Sequence, residues 1–343
     1  MNKKIKCLVW DLDNTLWEGT LLEDSHVKLK DGIKDILKEL DRRGILLSIA
    51  SKNDYEEAME KLREFDIAEY FLFPQIGWNS KAQSIQAIQK ALNIGMDTFA
   101  FIDDQDFERE EVHFTHPQVL CIDGEEYQNL TEMDALHPRF ITEDSRLRRQ
   151  MYQSDLIRKD QEAAFEGSSE EFLETLEMEL SIASVSPGDL ERVEELTVRT
   201  NQLNSTGYTY DFTELNHFIS SPNHIFLIAA LKDKFGSYGK IGLILLEESE
   251  EILEIKLLLM SCRVMTRGIG SALLIHITRL AQECGKKLRA QFVDTGKNRV
   301  MYITYKLMGF EEAEESEGDV SLLEYRGEQQ REYPPYLKIT IES

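Results

Sequence analysis

Apolar residues in this chain come in short unbroken runs, separated by stretches where they recur every three or four positions. Ile5 to Trp10 is a compact, mostly apolar run that ends at Asp11. That is the pattern of a buried parallel strand with polar chemistry at its carboxyl edge. From Asp31 to Arg43, the residues Ile33, Ile36, Leu37 and Leu40 keep helical spacing, and Gly44 stops the helix. Further strands are predicted at Ile45 to Ala50, Tyr70 to Pro74, Thr98 to Ile102 and Gln118 to Ile122, with helices at Asp54 to Phe65 and Lys81 to Leu92 between them. Strands alternating with helices imply βαβ units and a doubly wound sheet.

The pattern changes at about Asp123. Polar residues dominate to Glu179, and this stretch reads as a helical connector. From Leu180 apolar runs return: strands at Ile225 to Leu231, Gly239 to Glu247, Ile252 to Met260, Leu288 to Val293, Val320 to Tyr325 and Leu337 to Ile341, with helices at Gly270 to Cys284 and Asn298 to Met308. The division is residues 1–123, a connector 124–179 and a second domain 180–343. A length of 343 residues suits two such cores.

Charge narrows the range of functions. Lysine and arginine total 39 against 63 aspartates and glutamates, a net charge of -24. Broad nucleic-acid binding needs clustered basic side chains, so that class is set aside. No segment approaches the roughly 20 apolar residues that span a bilayer, so no membrane partner is expected. Cys7, Cys121, Cys262 and Cys284 lie far apart with no zinc-ligand spacing, which suits a reduced, cytoplasmic protein.

The sharpest motif is Trp10-Asp11-Leu12-Asp13-Asn14-Thr15. Two carboxylates one residue apart, just past a buried strand, can both reach a magnesium ion, although a solvated turn would look the same in isolation. A carboxylate attacking a phosphate meets charge repulsion, and a metal relieves it. Asp11 is placed to attack phosphorus and Asp13 to move protons. Ser51, at the end of the second strand, offers a hydroxyl, and Lys81, before a helix, a fixed positive charge. Asp103-Asp104, at the end of the fourth strand, offers hard oxygen ligands.

This assembly resembles the haloacid dehalogenase (HAD) superfamily. The resemblance implies Asp11 as nucleophile, Asp13 as acid and base, and Asp11, Asp13 and Asp104 around Mg2+, with Asp103 as a further ligand. The segment from Asp13 to Ser51 holds about one helix, so the domain is expected to be capless. An open site suits a macromolecular partner.

A narrower resemblance covers nearly the whole chain. Lys6 to Trp17, Ser51-Lys52-Asn53-Asp54, Trp78 with Lys81, Phe101 to Asp104 with Glu108-Arg109, Thr142-Glu143-Asp144, Arg199 to Asn204 and Ser261 to Val264 are similar to the FkbH-like proteins. Those proteins load a glyceryl unit from 1,3-bisphosphoglycerate onto an acyl carrier protein bearing phosphopantetheine, with phosphate release, for polyketide-type biosynthesis. The resemblance implies that phosphorylated three-carbon acyl donor and that carrier as partners, with Ser51, Lys52, Asn53 and Lys81 binding substrate. Cys262, followed by Arg263 and Arg267, is the candidate acyl-carrying thiol, with a buried core cysteine as the alternative. Arg263, Asn201, Gln202 and Asn204 are candidate contacts to substrate or carrier arm; capping and loop hydrogen bonding would use the same amides.

Arg267-Gly268-Ile269-Gly270-Ser271 opens a helix after a strand and resembles the coenzyme A loop of the GNAT acetyltransferases, with Met265 where that loop begins with glutamine or arginine. The fold class expected is α/β: a HAD-like doubly wound parallel sheet followed by a GNAT-like α/β domain. A phosphatase with a partner-binding second domain, and an acyl-CoA acyltransferase, are the alternative functions.

Overall fold

The computed structural model describes residues 5–24, 26–327 and 331–342. The chain divides into two compact units, Met1–Gln153 and Ser154–Ser343.

In the first unit, β1 (Cys7–Trp10) is followed by the short strands β2 (Trp17–Glu18) and β3 (Lys28–Leu29), then α1 (Ile33–Arg42), β4 (Leu46–Ser51) and α2 (Tyr55–Glu64). Next come β5 (Gln75–Ile76), α3 (Lys81–Leu92), β6 (Phe99–Asp103), α4 (Asp106–Thr115) and β7 (Leu120–Asp123). The sheet order is β5-β4-β1-β6-β7, and every adjacent pair is parallel. β1 lies at the centre and is buried on both faces. Leu8 and Trp10 enter one core layer with Ile33, Leu37 and Leu62, while Cys7 and Val9 enter the other with Ile85, Ile88 and Val112. That two-sided burial explains why the strand reads as an unbroken apolar run instead of an alternation. Between Asp13 and the start of β4 the described residues form only β2, β3 and α1, so this stretch carries no cap domain.

One predicted strand is displaced. Ala68–Tyr70 is a 3-10 turn, Phe71 makes a single bridge to Leu47, and the strand proper is Gln75–Ile76. Phe73 has φ 51, and Pro74 has no N–H to donate, so the run Tyr70 to Pro74 cannot continue a ladder.

After β7 come two 3-10 turns and α5 (Glu143–Arg146); the division between units then falls within α6 (Arg148–Ala164). The stretch 124–179, expected as a connector, is thus shared between the units. Leu130 and Leu136 join the first core, whereas Phe172, Leu173 and Leu176 join the core of the second. Arg148 and Arg149 are engaged within the first unit: Arg148 Nη1 donates to Gly44 O at 2.7 Å and Arg149 Nε to Asp41 at 3.0 Å.

The second unit continues with α7 (Ser169–Glu174), β8 (Met178–Ser184), α8 (Leu190–Arg199), α9 (Phe212–Ser220), β9 (His224–Asp233), β10 (Gly236–Glu248) and β11 (Ile252–Met260). It ends with α10 (Ile269–Glu283), β12 (Lys287–Phe292), α11 (Arg299–Leu307), β13 (Phe310–Glu317), β14 (Val320–Tyr325) and β15 (Leu337–Glu342). One sheet takes the order β13-β14-β12-β11-β10-β9-β8-β15. Its pairs are antiparallel except β11 with β12 and β15 with β8. Pairing of β11 with β12 stops at Ile255 and Ala290, and beyond that point both strands run on without pairing to each other.

Candidate active site

Three parallel strands deliver the key side chains to one edge of the first sheet. Asp11 directly follows β1, Ser51 closes β4, and Asp103 closes β6. Lys81 is the first residue of α3, whose N-terminus is capped by the Ser80 side chain accepting from Gln83 N. All four are buried.

Lys81 Nζ pairs with an Asp11 carboxylate oxygen, lies 3.1 Å from Asp103 Oδ2, and donates to Ala50 O at 2.9 Å. One carboxylate oxygen each of Asp11, Asp103 and Asp104 lie within 4.8 Å of one another. Among the described residues this group of three carboxylates is met by one ammonium, Lys81, which contacts two of them. Burial pushes the Asp11 carboxyl up, only partly countered by Lys81. Burial, then the Asp11 charge, push Asp103 up to about 7. Burial works to lower Lys81, but Asp11 and Asp103 outweigh it and the net shift is upward. An anionic surplus of this kind in a buried place, made of hard oxygen donors, fits a divalent cation such as magnesium.

Asp13 is held apart from that cluster. Its Oδ1 accepts from Trp17 Nε1 at 2.8 Å and Leu21 N at 3.1 Å, and its Oδ2 accepts from Asn53 Nδ2 at 3.0 Å. Asp13, expected with Asp11 and Asp104 as a metal ligand, has its carboxylate taken up by these donors, while oxygens of Asp11, Asp103 and Asp104 gather together. Asn53 also donates to Ser51 Oγ at 3.2 Å, linking the two motifs, and the Ser51 hydroxyl bonds Asp11. Lys52 does not enter the cluster. Its Nζ pairs with Glu108 at 2.6 Å.

Asp104 is steadied by Thr15, whose Oγ1 accepts from Asp104 N at 3.0 Å and donates to Oδ1 at 3.3 Å. Arg109 Nη1 donates to Asp103 O at 2.7 Å and its Nη2 pairs with Asp123 at 2.8 Å. Behind both aspartates sits Gly124: a Cβ there would lie 2.9 Å from Asp104 N and 3.2 Å from Asp103 C. Sequence reasoning gave no role to Trp17, Thr15 or Gly124. The available signal for Gly124 was a glycine directly after a strand that pairs with the metal-bearing one.

In the second unit Cys262 is half-buried in a 3-10 turn just after β11. Arg263 Nη2 donates to Tyr238 O at 2.9 Å, and Arg267 pairs with Glu162 at 3.3 Å. Asn204, expected to touch substrate or carrier arm, is fully buried and serves its own loop. Its Oδ1 accepts from Thr206 N at 3.1 Å and Gly207 N at 2.8 Å. Asn201 and Gln202 are exposed.

Residues 12–111 match the family described as haloacid dehalogenase-like hydrolase. The first unit is a HAD-like domain. Human "Magnesium-dependent phosphatase 1" is 28% identical over 144 residues, 36% of this chain and 81% of its own length. A phosphatase-domain fragment of a Bacteroides fragilis protein, solved with Mg, is 30% identical, with a TM-score of 0.34. That alignment spans 39% of this chain and 41% of the fragment, less than half its length. Escherichia coli ribosomal-protein-S18-alanine N-acetyltransferase, 13% identical, aligns over 43% of this chain and 92% of its own, with a TM-score of 0.34. A Thermoplasma acidophilum N-acetyltransferase solved with coenzyme A, 20% identical, covers 43% and 98%, also at 0.34. In the second unit the β11–β12 parallel pair opens toward a glycine-led helix. Among the described residues no helix is long and apolar enough to cross a membrane.

Proposed function

We propose that this protein is a magnesium-dependent enzyme that couples aspartyl-phosphatase chemistry to glyceryl transfer, loading a glyceryl unit from 1,3-bisphosphoglycerate onto the phosphopantetheine thiol of an acyl carrier protein. The observation that carries the phosphatase half is the contrast between two neighbouring carboxylates. Asp11 sits in the anionic cluster beside Lys81, whereas Asp13 is turned out of it by three hydrogen-bond donors. One is placed as nucleophile and the other as proton carrier.

Asp11, Asp103 and Asp104 would hold magnesium, which supplies positive charge to the phosphoryl oxygens. In the first step an Asp11 carboxylate oxygen bonds to phosphorus, the ester P–O bond breaks, and the leaving oxygen takes a proton from Asp13. In the second, water gives its proton to Asp13 and bonds to phosphorus, and the P–O bond to Asp11 breaks to release phosphate. Lys81 keeps Asp11 in position between the two steps, and Ser51 donates its hydroxyl to the same group.

The donor's other reactive centre is an acyl phosphate, and a thiol suits it. The Cys262 thiolate adds to the acyl carbon, the C–O bond to phosphate breaks, and the resulting thioester is passed to the carrier's thiol. Cys262 is favoured among the four cysteines by its setting. Burial pushes the Cys7 thiol up beyond use and Cys121 up to about 11, while Cys284 caps a helix away from the candidate loop. The resemblance to FkbH-like proteins supplies the glyceryl unit and the carrier, and the spacing of the four cysteines the cytoplasmic setting.

The test incubates the protein with magnesium, freshly made 1,3-bisphosphoglycerate and a phosphopantetheinylated carrier, and weighs the carrier intact. A glyceryl mass gain that is lost with Asp11→Asn supports the coupled reaction. Phosphate release with no gain on any of several carriers leaves a phosphatase with a separate, partner-binding domain.

A further inference from the structure

We infer that the second unit excludes free coenzyme A, because its own residues fill both places where that molecule would be gripped. The inference does not depend on the glyceryl reading; it concerns only what this groove can admit.

A diphosphate is gripped by the free amides at a helix N-terminus when glycine lets it come close. Here that place is α10, with Gly268 at its N-cap at φ 73. The space over Gly268 is already taken. A Cβ there would lie 2.4 Å from the Tyr336 hydroxyl oxygen and 3.3 Å from the ring carbon that bears it. The Tyr336 backbone is anchored, because the next residue begins β15, where Leu337 pairs with Met178 of β8. Pro334 and Pro335 stiffen the approach, and Leu337 N closes a turn on Pro334 O at 3.0 Å. The adjacent cation is partly engaged: its Nη2 meets Glu162, while Nε and Nη1 are buried without a hydrogen-bond partner. Arg267 is buried, pairs with Glu162, and lies 5.8 Å over the Phe172 ring.

The pantetheine portion carries amides, which bind by completing an open strand edge. β11 and β12 would present such an edge where they part beyond Ile255 and Ala290. The chain closes it with Leu203, Asn204 and Ser205. Met260 N donates to Leu203 O at 2.8 Å, Ser205 N donates to Leu258 O at 2.9 Å, and Leu258 N donates to Ser205 Oγ at 3.0 Å. On the other side Val293 N donates to Ser205 O at 3.0 Å, and Asn298 Nδ2 donates to Asn204 O at 2.9 Å. Asn204 bridges Leu259 as a one-residue strand, and it and Ser205 are fully buried. A ligand amide entering here must displace backbone hydrogen bonds on both walls. A carrier-borne arm brings no adenosine diphosphate and makes no demand on the Gly268 end, but its pantetheine amides meet the same closed edge, so such an arm would have to reach Cys262 by a route other than this strand edge.

Titration calorimetry of the full chain with coenzyme A and acetyl-coenzyme A tests this. The expected result is no saturable binding by the natural protein or by Tyr336→Phe, which keeps the ring. Tyr336→Ala uncovers Gly268 and should gain affinity for coenzyme A by about tenfold or more. Saturable micromolar binding by the natural protein overturns the inference. A folded Tyr336→Ala that binds no better overturns the role of Tyr336. Should that variant not fold, amide exchange at Gly268–Gly270 in the natural protein decides, since protection on adding coenzyme A would contradict the exclusion.

Discussion

The Trp17 indole donates its Nε1–H to Asp13 Oδ1 at 2.8 Å, across one helical-turn spacing in a segment that is not a helix. Trp17 is itself fully buried, so a core residue fixes the direction of the proposed proton carrier. Trp17→Phe keeps most of the apolar contact and removes the donor. Hydrogen bonds to charged groups are worth about 1.5–3 kcal/mol, so phosphatase kcat should fall roughly tenfold to hundredfold with KM nearly unchanged. Steady-state kinetics on a phosphate monoester checks this, and an unchanged kcat would remove Trp17 from the site.

Among the described residues Lys81 is the one ammonium in contact with both Asp11 and Asp103. Replacing it with methionine leaves buried carboxylates uncompensated, a change that costs about 3–5 kcal/mol when one partner of a buried pair is removed. Lys81→Met should melt well below the natural protein in chelator, and magnesium should restore more of the loss than it adds to the natural protein. Equal melting temperatures in chelator would show that the pair is not structural.

Asp103 gives the metal-free fold a defined pH response. Its carboxyl is raised from 3.8 to about 7. Below 3.8 both folded and unfolded chains hold the proton, and the group has no leverage. Between 3.8 and about 7 the unfolded chain has released it while the fold retains it, so this group's contribution to stability falls as pH rises. Above that window the contribution is flat. Magnesium must displace the retained proton, so its stabilising effect should be larger at about pH 8 than at about pH 6. Melting curves with and without magnesium at both pH values measure it; a larger effect at the lower pH contradicts the assignment.

Cys262→Ala should abolish a glyceryl-labelled form of the enzyme while leaving phosphate-monoester hydrolysis at the HAD-like domain intact. The label is read by intact mass after an acid quench in the absence of carrier. A labelled Cys262→Ala enzyme would rule out that thiol as the acyl carrier.

Much of this was legible in the sequence for a physical reason. β1, β4 and β6 are buried on both faces, so they appear as unbroken apolar runs, and the polar residue after each run marks the sheet edge where Asp11, Ser51 and Asp103 meet. α4 was missed because Asp106–Thr115 buries only Glu108 and Val112, leaving almost no apolar period to read. The direction of Asp13 could not be read either. It is set by Leu21 N and Asn53 Nδ2 together with Trp17, contacts that exist only once two loops meet. For Asn204 the sequence left ligand contact and loop hydrogen bonding both open, and the structure shows its side-chain oxygen accepting within its own turn.

The most direct test of the central claim is to trap the phosphoryl group on Asp11. Asp13→Asn should let the first step occur with a good leaving group and slow the second, since general acid–base assistance is worth roughly 10²–10⁴-fold. Rapid acid quench followed by peptide mass analysis should place one added phosphoryl on the peptide containing Asp11, and none when Asp11→Asn is introduced alongside. Sustained phosphate release by Asp11→Asn alone, with no phosphorylated peptide in either variant, would contradict the account.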